Sequence, residues 1–178
     1  MPPPLKPIHY RGGLVTFSIP AHWTEEYEKD GGGTFYDSAD ESLTLRLSVM
    51  TMTPPKPLRL EDAPAVLASM SDILQAPAGP APDIEPLPHD QAICFCPPRR
   101  ETENGEAIEL HTWGLLRVVA PTLVRLAIFT TTVARRAGAD RATETLAILR
   151  EQVRSAVISP APRLKLPTPW WKRIFGVK

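Results

Sequence analysis

LVTFSIP at residues 14–20, GGGTFYD at residues 31–37 and LTLRLSV at residues 43–49 form the stretch that decides the fold. In the third segment leucine and valine alternate with polar side chains, and this period of two predicts a half-buried antiparallel strand. The first segment is also strand-like, and it ends at Pro20 because proline cannot donate a hydrogen bond to a sheet ladder. The opening part of the chain therefore predicts three strands joined by short polar connections.

The rest of the chain continues with a helix, three further strands and a second helix. Apolar residues at helical spacing predict the first helix over residues 63–75 and the second from Asp140 or Thr143 to about Val157. The further strands are expected at residues 92–96, 107–119 and 122–133. The fold class that follows is α+β: a mainly antiparallel twisted sheet of about six strands, flanked by two amphipathic helices.

The composition is that of one ordinary domain with an excess of proline. Twenty basic and 20 acidic side chains among 178 residues give a formal net charge of zero, which argues against a large nucleic-acid surface. The 21 prolines are roughly twice the usual frequency of about 5%. They indicate a Pro-rich lead-in at residues 1–9, a single domain at residues 10–158 and a Pro-rich tail at residues 159–178. No stretch approaches the ~20 apolar residues of a membrane span and the N-terminus lacks a signal-peptide pattern, so we expect a cytoplasmic protein.

Cys94 and Cys96 are the two cysteines of the chain. Residues two apart on a strand point to the same face, and a disulfide at that spacing would be badly strained. We therefore expect two reduced, buried cysteines that act as small apolar side chains, which also favours a reducing compartment.

The opening motif resembles that of one known fold family. Phe17, Ile19, Pro20 and Trp23 match the Phe-x-Ile/Leu-Pro-x-x-Trp pattern with which bacterial members of the PsbP-like family often begin. An aromatic-bearing strand and a long amphipathic strand commonly follow this motif. Here these two strands would contain Phe35, Tyr36 and residues 43–49. The fold is shared by the photosystem subunit PsbP, the Ran-binding Mog1p proteins and the bacterial DcrB family, and the resemblance covers about residues 10–158.

This resemblance implies a twisted antiparallel sheet between helices and a non-catalytic role. Branches of the family act as adaptors, as lipoproteins or as chaperones for secreted toxins. The chain has no cysteine near its N-terminus to carry a lipid, which argues against a membrane anchor of the DcrB type.

Few residues of the chain are spaced for catalysis or cofactor binding. The four histidines are scattered, the glycines at residues 31–33 lack the lysine of a phosphate loop, and no serine has the context of a nucleophile. We therefore predict no catalytic, cofactor-binding or metal-binding residue and no cofactor. One alternative is a small-ligand or metal-dependent enzyme with a site near Cys94, Cys96 and His111, if these side chains converge on adjacent strands.

The tail at residues 159–178 is the best candidate for an interaction. It carries five basic residues and several large apolar ones, and no acidic residue follows Glu151. The residues predicted to bind a partner are Trp170, Trp171, Lys172, Arg173 and Phe175. Three arrangements stay open: the tail folds back and buries its tryptophans, docks on a partner protein, or contacts a membrane surface.

The sequence therefore favours a non-catalytic protein-binding domain of the adaptor, chaperone or immunity type. Such a domain would use the open sheet face or the tail on a protein partner, and no nucleic acid is expected as a partner. The alternatives are the enzyme described above and a peripheral membrane protein that binds through its tail.

Overall fold

A computed structural model describes residues 3–29, 31–74, 80–103, 105–134 and 139–161. The helices in that part of the chain are α1 (Ala63–Ser69), α2 (Ser71–Leu74) and α3 (Ala139–Arg154). The strands are β1 (Leu5–Tyr10), β2 (Val15–Pro20), β3 (Thr24–Tyr27), β4 (Gly33–Asp37), β5 (Asp40–Met52), β6 (Asp83–Leu87), β7 (Gln91–Phe95), β8 (Arg99–Glu103), β9 (Glu106–Ala120), β10 (Leu123–Ala134) and β11 (Val157–Ile158).

The strands form two antiparallel sheets. The smaller sheet has the order β1-β2-β11. The larger sheet has eight strands in the order β3-β4-β5-β10-β9-β7-β6, with β8 paired to β9. The long strand β9 pairs with β7 through residues 113–117 and with β8 through residues 106–110. The predicted α+β fold with a mainly antiparallel sheet is confirmed, whereas the prediction of about six strands is wrong.

The strands that were not predicted from the sequence all lie at the edges of the two sheets. The six expected strands correspond to β2, β4, β5, β7, β9 and β10, and each of these has a strand on both sides. Within the described chain, β1, β3, β6, β8 and β11 each pair with one neighbour. Most of β1 falls in the expected lead-in, and this strand contains Pro7. β6 lies between the first predicted helix and the predicted strand at residues 92–96, and it contains Pro86. An edge strand tolerates proline and charged residues because half of its N–H groups have no strand partner. The apolar pattern by which a strand is predicted is therefore weaker in edge strands.

Apolar side chains on the two faces of the larger sheet build two separate cores. One face packs against the smaller sheet and α3, and we call this the first core. Within it Phe17 meets Phe35 and Phe129 edge to face, with ring centroids 5.3 Å apart in both pairs. The other face packs against α1 and α2 and forms the second core. The alternation predicted in β5 is confirmed, since its three leucines point into the first core and are at most 3% exposed.

Both predicted helices are present, with differences at their ends. The first is divided at Met70 into α1 and α2, and Ile73 of its expected apolar stripe is exposed. The second ends at Arg154, and Val157 lies in β11 with an exposed side chain. The buried members of the second predicted stripe are Leu149, Val153 and Ala156. No helix among the described residues is both long enough and apolar enough to span a bilayer.

Candidate functional site

The five tail residues predicted to bind a partner lie outside the described residues. These are Trp170, Trp171, Lys172, Arg173 and Phe175, and the described chain ends at residue 161. Their role therefore stays a prediction, and the site is built from the sheets and their connections.

Cys94 and Cys96 do not converge with His111. Both cysteines are buried in the second core, at 0% and 6% exposure, as expected for reduced apolar side chains. In the register of β7 and β9, Cys94 is opposite Gly114 and Phe95 is opposite Trp113. His111 is two residues from Trp113, so it lies on the face of the first core, and its ring bonds Glu109 at 3.0 Å. Among the described residues, no group of three His, Cys, Asp or Glu side chains is arranged to hold a metal ion.

The thiols of Cys94 and Cys96 change each other's pKa. Their sulfur atoms are 3.7 Å apart. The hydrogen bond to Cys96, together with burial, raises the pKa of Cys94 well above the usual range of a thiol. The same bond lowers the pKa of Cys96, and the charge of Arg99 lowers it further against the effect of burial. The pair therefore loses its first proton from Cys96 and holds the second at Cys94.

A cleft of about 190 Å³ lies beside the opening motif, between the β4–β5 turn and the start of α3. Asp37 is buried there, and its Oδ2 atom accepts from His22 Nε2 at 3.1 Å and lies 3.5 Å from Arg141 Nη2. Its other oxygen accepts from the amide of Ala39 at 2.9 Å. The Asp37 carboxylate thus joins the link after β2, the β4–β5 turn and α3. We interpret this group as a structural contact between these three segments, because the carboxylate is buried and meets groups of the protein itself through both of its oxygens.

The most distinctive surface is one half of the outer face of the larger sheet. Along β10 this face changes from Val124, Leu126 and Ile128 to Thr130 and Thr132. On β5 the change lies one residue pair earlier, because Ser48 is opposite Ile128. On β9 this face carries Thr112 between Gly114 and the apolar Leu110. The open face formed in this way consists of one apolar residue, Leu110, and the polar residues Thr34, Tyr36, Thr44, Arg46, Ser48, Thr112, Thr130 and Thr132. Helices α1 and α2 pack on the apolar half, so the open face is the half that these two helices leave to solvent.

One cross-strand row runs through the centre of the open face. The register places Thr34 opposite Arg46, Arg46 opposite Thr130, and Thr130 opposite Thr112. Arg46 is exposed, and no carboxylate of the described residues lies within ion-pair distance of its guanidinium. Glu26 is two strands away in the same row, at roughly 10 Å for strands about 4.8 Å apart. The row therefore presents a guanidinium between threonine hydroxyls on a flat surface.

A groove of about 170 Å³ borders this row under the β3–β4 connection. It is lined by Gly31, Gly32, Arg46, Ser48 and Thr130, among others. Gly31 has φ +97°, and a Cβ atom there would collide with the guanidinium of Arg11. Gly31 and Gly32 thus lie in the β3–β4 connection, Gly33 begins β4, and these small residues keep the groove open.

Gln91 is a buried polar residue that sequence reasoning missed. It is 3% exposed, its Nε2 donates to the carbonyl of Ala156 at 3.1 Å, and its Oε1 accepts from the amide of Ile158 at 2.7 Å. These two bonds satisfy the backbone where the chain enters β11. Gln91 follows the polar residues His89 and Asp90, so its local sequence does not mark it as buried, and only the approach of a distant segment explains its burial.

Two arginines continue this polar row across the larger sheet. Arg117 and Arg125 are opposite each other on β9 and β10, and they donate to the carbonyls of Ile158 and Ser159 at 2.7 and 2.8 Å. Burial lowers the pKa of both guanidiniums, and the charge of Arg117 lowers that of Arg125 further. We refer to Gln91, Arg117 and Arg125 as the β11 clamp, because all three hold the backbone at residues 156–159.

Solved structures share this fold, although no protein-family model and no curated protein matches the chain. LpqN of Mycobacterium tuberculosis, a protein involved in cell envelope biogenesis, aligns at 14% identity with a TM-score of 0.59, over 88% of this chain and 91% of LpqN. A protein of Bacteroides thetaiotaomicron aligns at 15% identity with a TM-score of 0.56, over 86% of this chain and 48% of its own. The chain thus spans about half the length of that protein. Cyanobacterial PsbP of Synechocystis aligns at 12% identity with a TM-score of 0.41, over 87% of this chain and 92% of that one.

At these identities the similarities concern the fold alone. The PsbP-like fold predicted from the motif at residues 17–23 is confirmed at that level. A shared fold does not carry a function with it, because unrelated sites are built on the same scaffold.

Proposed function

We propose that this chain is a non-catalytic protein-binding domain, of the adaptor, chaperone or immunity type, that presents its open face to a protein partner. One observation carries the proposal: β5 and β10 both change from apolar to polar side chains along the same face, and Thr112 of β9 extends the polar row. Folding alone does not require such a face, because other elements could cover it completely or it could carry charged side chains. Here the face consists mainly of hydroxyl side chains, with one arginine and Leu110.

The chemistry of the open face suits a polar partner with an acidic side chain at its centre. A guanidinium binds a carboxylate through two parallel hydrogen bonds, and this geometry is specific as well as strong. Thr34 and Thr130 flank Arg46 and can donate or accept further bonds to the partner. The short side chains lose little conformational entropy on binding, which favours complex formation.

The resemblance to the PsbP-like family supports a non-catalytic role without naming a partner. A cytoplasmic location stays a prediction, and so does the role of the tail residues from Trp170 to Phe175. Flotation with liposomes, with and without residues 160–178, tests the peripheral membrane alternative separately from the open face.

Site-specific photo-crosslinking in the native host tests the proposal. A photoreactive residue replaces Thr130 on the open face in one protein and Ala147, an exposed position of α3, in the matched control. We expect the same protein to be crosslinked repeatedly from position 130 and not from position 147. The affinity of the purified pair is then measured for Arg46→Glu and for a control reversal at another exposed arginine, Arg59→Glu.

We expect Arg46→Glu to weaken the complex at least tenfold, or by about 1.4 kcal/mol, because it places two negative charges together. Arg59→Glu should leave the affinity within about twofold of the unsubstituted protein. Equal crosslinking from both positions, or equal loss with both reversals, would remove the open face as the binding surface.

A further inference from the structure

A groove of about 280 Å³ lies between the β6–β7 turn and the first turn of α1, and we call it the α1 groove. It is larger than the cleft beside the opening motif and the groove beside Arg46, which measure about 190 and 170 Å³. Its apolar walls are the side chains of Leu60, Pro64, Pro86 and Leu87. Leu60 is an exposed large hydrophobic residue. The α1 groove thus offers apolar surface to an occupant.

The charged side chains that line the α1 groove are acidic. Glu61 and Asp90 contribute carboxylates, and His89 lies beside them. The other two cavities each contain an arginine, whereas no lysine or arginine of the described chain lines this one. Arg59 lies 3.4 Å from Glu61, but both side chains are exposed and such a pair is weak. The α1 groove therefore favours an occupant with positive charge.

The described chain ends within reach of the α1 groove. Gln91 lines the groove and also bonds the backbone where the chain enters β11. From there the backbone crosses β9 to β10, where Arg125 binds the carbonyl of Ser159, and this crossing covers roughly 10 Å for strands about 4.8 Å apart. Nine further residues lead from residue 161 to Trp170. At about 3.1 Å per residue of a Pro-rich segment they span up to about 28 Å, so Trp170 can return to the groove.

The tail carries the matching chemistry. Trp170 and Trp171 are followed directly by Lys172 and Arg173, and residues 162–178 contain no acidic side chain. An indole ring gains from burial of its large apolar area, and a cation gains from pairing with a carboxylate. Attachment to the same chain gives this segment an effective concentration on the order of millimolar, so a weak contact is enough to hold it.

We propose that residues 170–173 of the chain's own tail occupy the α1 groove. An indole ring packs against the apolar walls, and the two basic side chains lie beside Glu61 and Asp90. The contact is separate from the open face around Arg46. It makes the tail a self-binding segment, which must leave the groove before its tryptophans can reach a partner protein or a membrane surface.

Fluorine NMR of the full chain labelled with 5-fluorotryptophan tests this proposal. The chain contains four tryptophans, and the substitutions Trp170→Phe and Trp171→Phe assign the two tail signals. The readout is the solvent isotope shift between H₂O and D₂O, which an exposed ring shows in full and a buried ring does not. We expect at least one tail signal to behave as buried. This signal should stay unchanged on tenfold dilution, because the contact lies within one chain.

A positive charge placed in the α1 groove should release the tail. Leu60→Lys replaces an exposed apolar wall with a cation, so both tail signals should then show the full isotope shift. The matched control is Ile73→Lys, which changes another exposed apolar residue outside the groove and should leave the tail signals unchanged. A second variant combines Glu61→Gln with Asp90→Asn and should lower the ratio of docked to free tail at least tenfold. Asparagine suits position 90 because the backbone there is left-handed, with φ +56°.

Three results would overturn the assignment. A full isotope shift for both tail signals in the unsubstituted protein would show that the tail is not docked. Equal effects of Leu60→Lys and Ile73→Lys, or no effect of either, would place a buried tail somewhere other than the α1 groove. A buried signal that becomes exposed on dilution would assign the contact to the tail of a second copy. If Leu60→Lys does not fold, the variant without the two carboxylates decides by the same criteria, with Glu144→Gln on the exposed surface of α3 as its control.

Discussion

We expect Gln91→Leu to destabilise the protein far more than the same substitution of a glutamine at the protein surface. The Gln91 side chain donates to the carbonyl of Ala156 and accepts from the amide of Ile158, and all of these atoms are buried. Leucine has a similar volume, so Gln91→Leu removes the two hydrogen bonds without creating a large cavity. The carbonyl and the amide then stay buried without this partner.

The expected loss follows from the cost of two unpaired backbone groups. Each buried group that loses its partner costs about 1–3 kcal/mol. Leucine recovers part of this by burying an apolar side chain in place of a polar one, at roughly 1 kcal/mol or more. We therefore expect the free energy of unfolding to fall by about 2–4 kcal/mol, a large part of the total stability of a small domain.

Urea unfolding, followed by far-UV circular dichroism, measures the change. The matched control is Gln152→Leu, a substitution on the half-buried surface of α3, where about 0.5 kcal/mol or less is expected. Hydrogen exchange adds a local readout, because the amide of Ile158 should lose protection by more than the global change in stability explains. The amide of Ser159, which bonds the carbonyl of Leu14, should follow it.

Two results would refute this reasoning. One is a Gln91→Leu protein as stable as Gln152→Leu. The other is a destabilised protein in which Ile158 keeps its relative protection, because the lost stability would then come from somewhere other than the β11 clamp.

Three further predictions concern the cores and the edge of the larger sheet. Phe17→Ala should lower the free energy of unfolding by about 3–5 kcal/mol in urea, since a buried ring that meets two other rings edge to face is lost. Gly114→Val should cost about 1–3 kcal/mol because its Cβ would lie 2.5 Å from Leu74 Cδ1, and adding Leu74→Ala should make the valine substitution less costly. The hydrogen bond from Tyr27 lowers the pKa of Glu25 below its ordinary value of 4.5. The ionised Glu25 therefore stabilises the folded state above pH 4.5, and this contribution is lost as the pH falls through the lowered pKa. Glu25→Gln should therefore flatten the acid limb of the unfolding temperature measured from about pH 3 to pH 6.

Each of these has an outcome that contradicts it. A Phe17→Ala protein within 1 kcal/mol of the unsubstituted protein, on the order of a surface change, would mean that the three rings do not form one packed unit. If Gly114→Val costs the same with and without Leu74→Ala, the leucine is not the contact that matters. An acid limb that changes equally in Glu25→Gln and in Glu144→Gln, an exposed position of α3, would remove the pKa argument.

Interior strands were predictable because their sequence carries a complete pattern. Each of the six predicted strands has partners on both sides, so proline is excluded from its middle and apolar side chains recur at a fixed period. Within the part of the chain that the structure describes, the five edge strands each have one partner and a weaker constraint, which is why Pro7 and Pro86 occur inside them and β8 is mostly charged. Proline in the middle of a strand therefore marks an edge strand here, although the edge strands β3, β8 and β11 contain no proline.

The candidate site was predictable in part. The alternation in β5 places Thr44, Arg46 and Ser48 on its polar face, and the structure keeps them there. The position of Thr130 beside Arg46, and of Thr112 beside Thr130, depends on the register of β5, β9 and β10, which no local pattern specifies. The same register separates His111 from the cysteines, because an odd offset along a strand exchanges the two faces of the sheet.

Local periodicity alone determined the six interior strands, the two helical regions and the faces on which their apolar side chains lie. It could do so because residues two apart lie on one face of a strand, and residues three or four apart lie on one face of a helix. Tertiary structure alone decided which half of the outer face is covered by α1 and α2, and why Gln91 is polar. Those properties depend on segments such as residues 156–159, which meet β7, β9 and β10 only when distant parts of the chain have paired. The free energy of the whole fold decides which distant segments pair. Such pairing therefore has no periodic pattern in the sequence around any one residue.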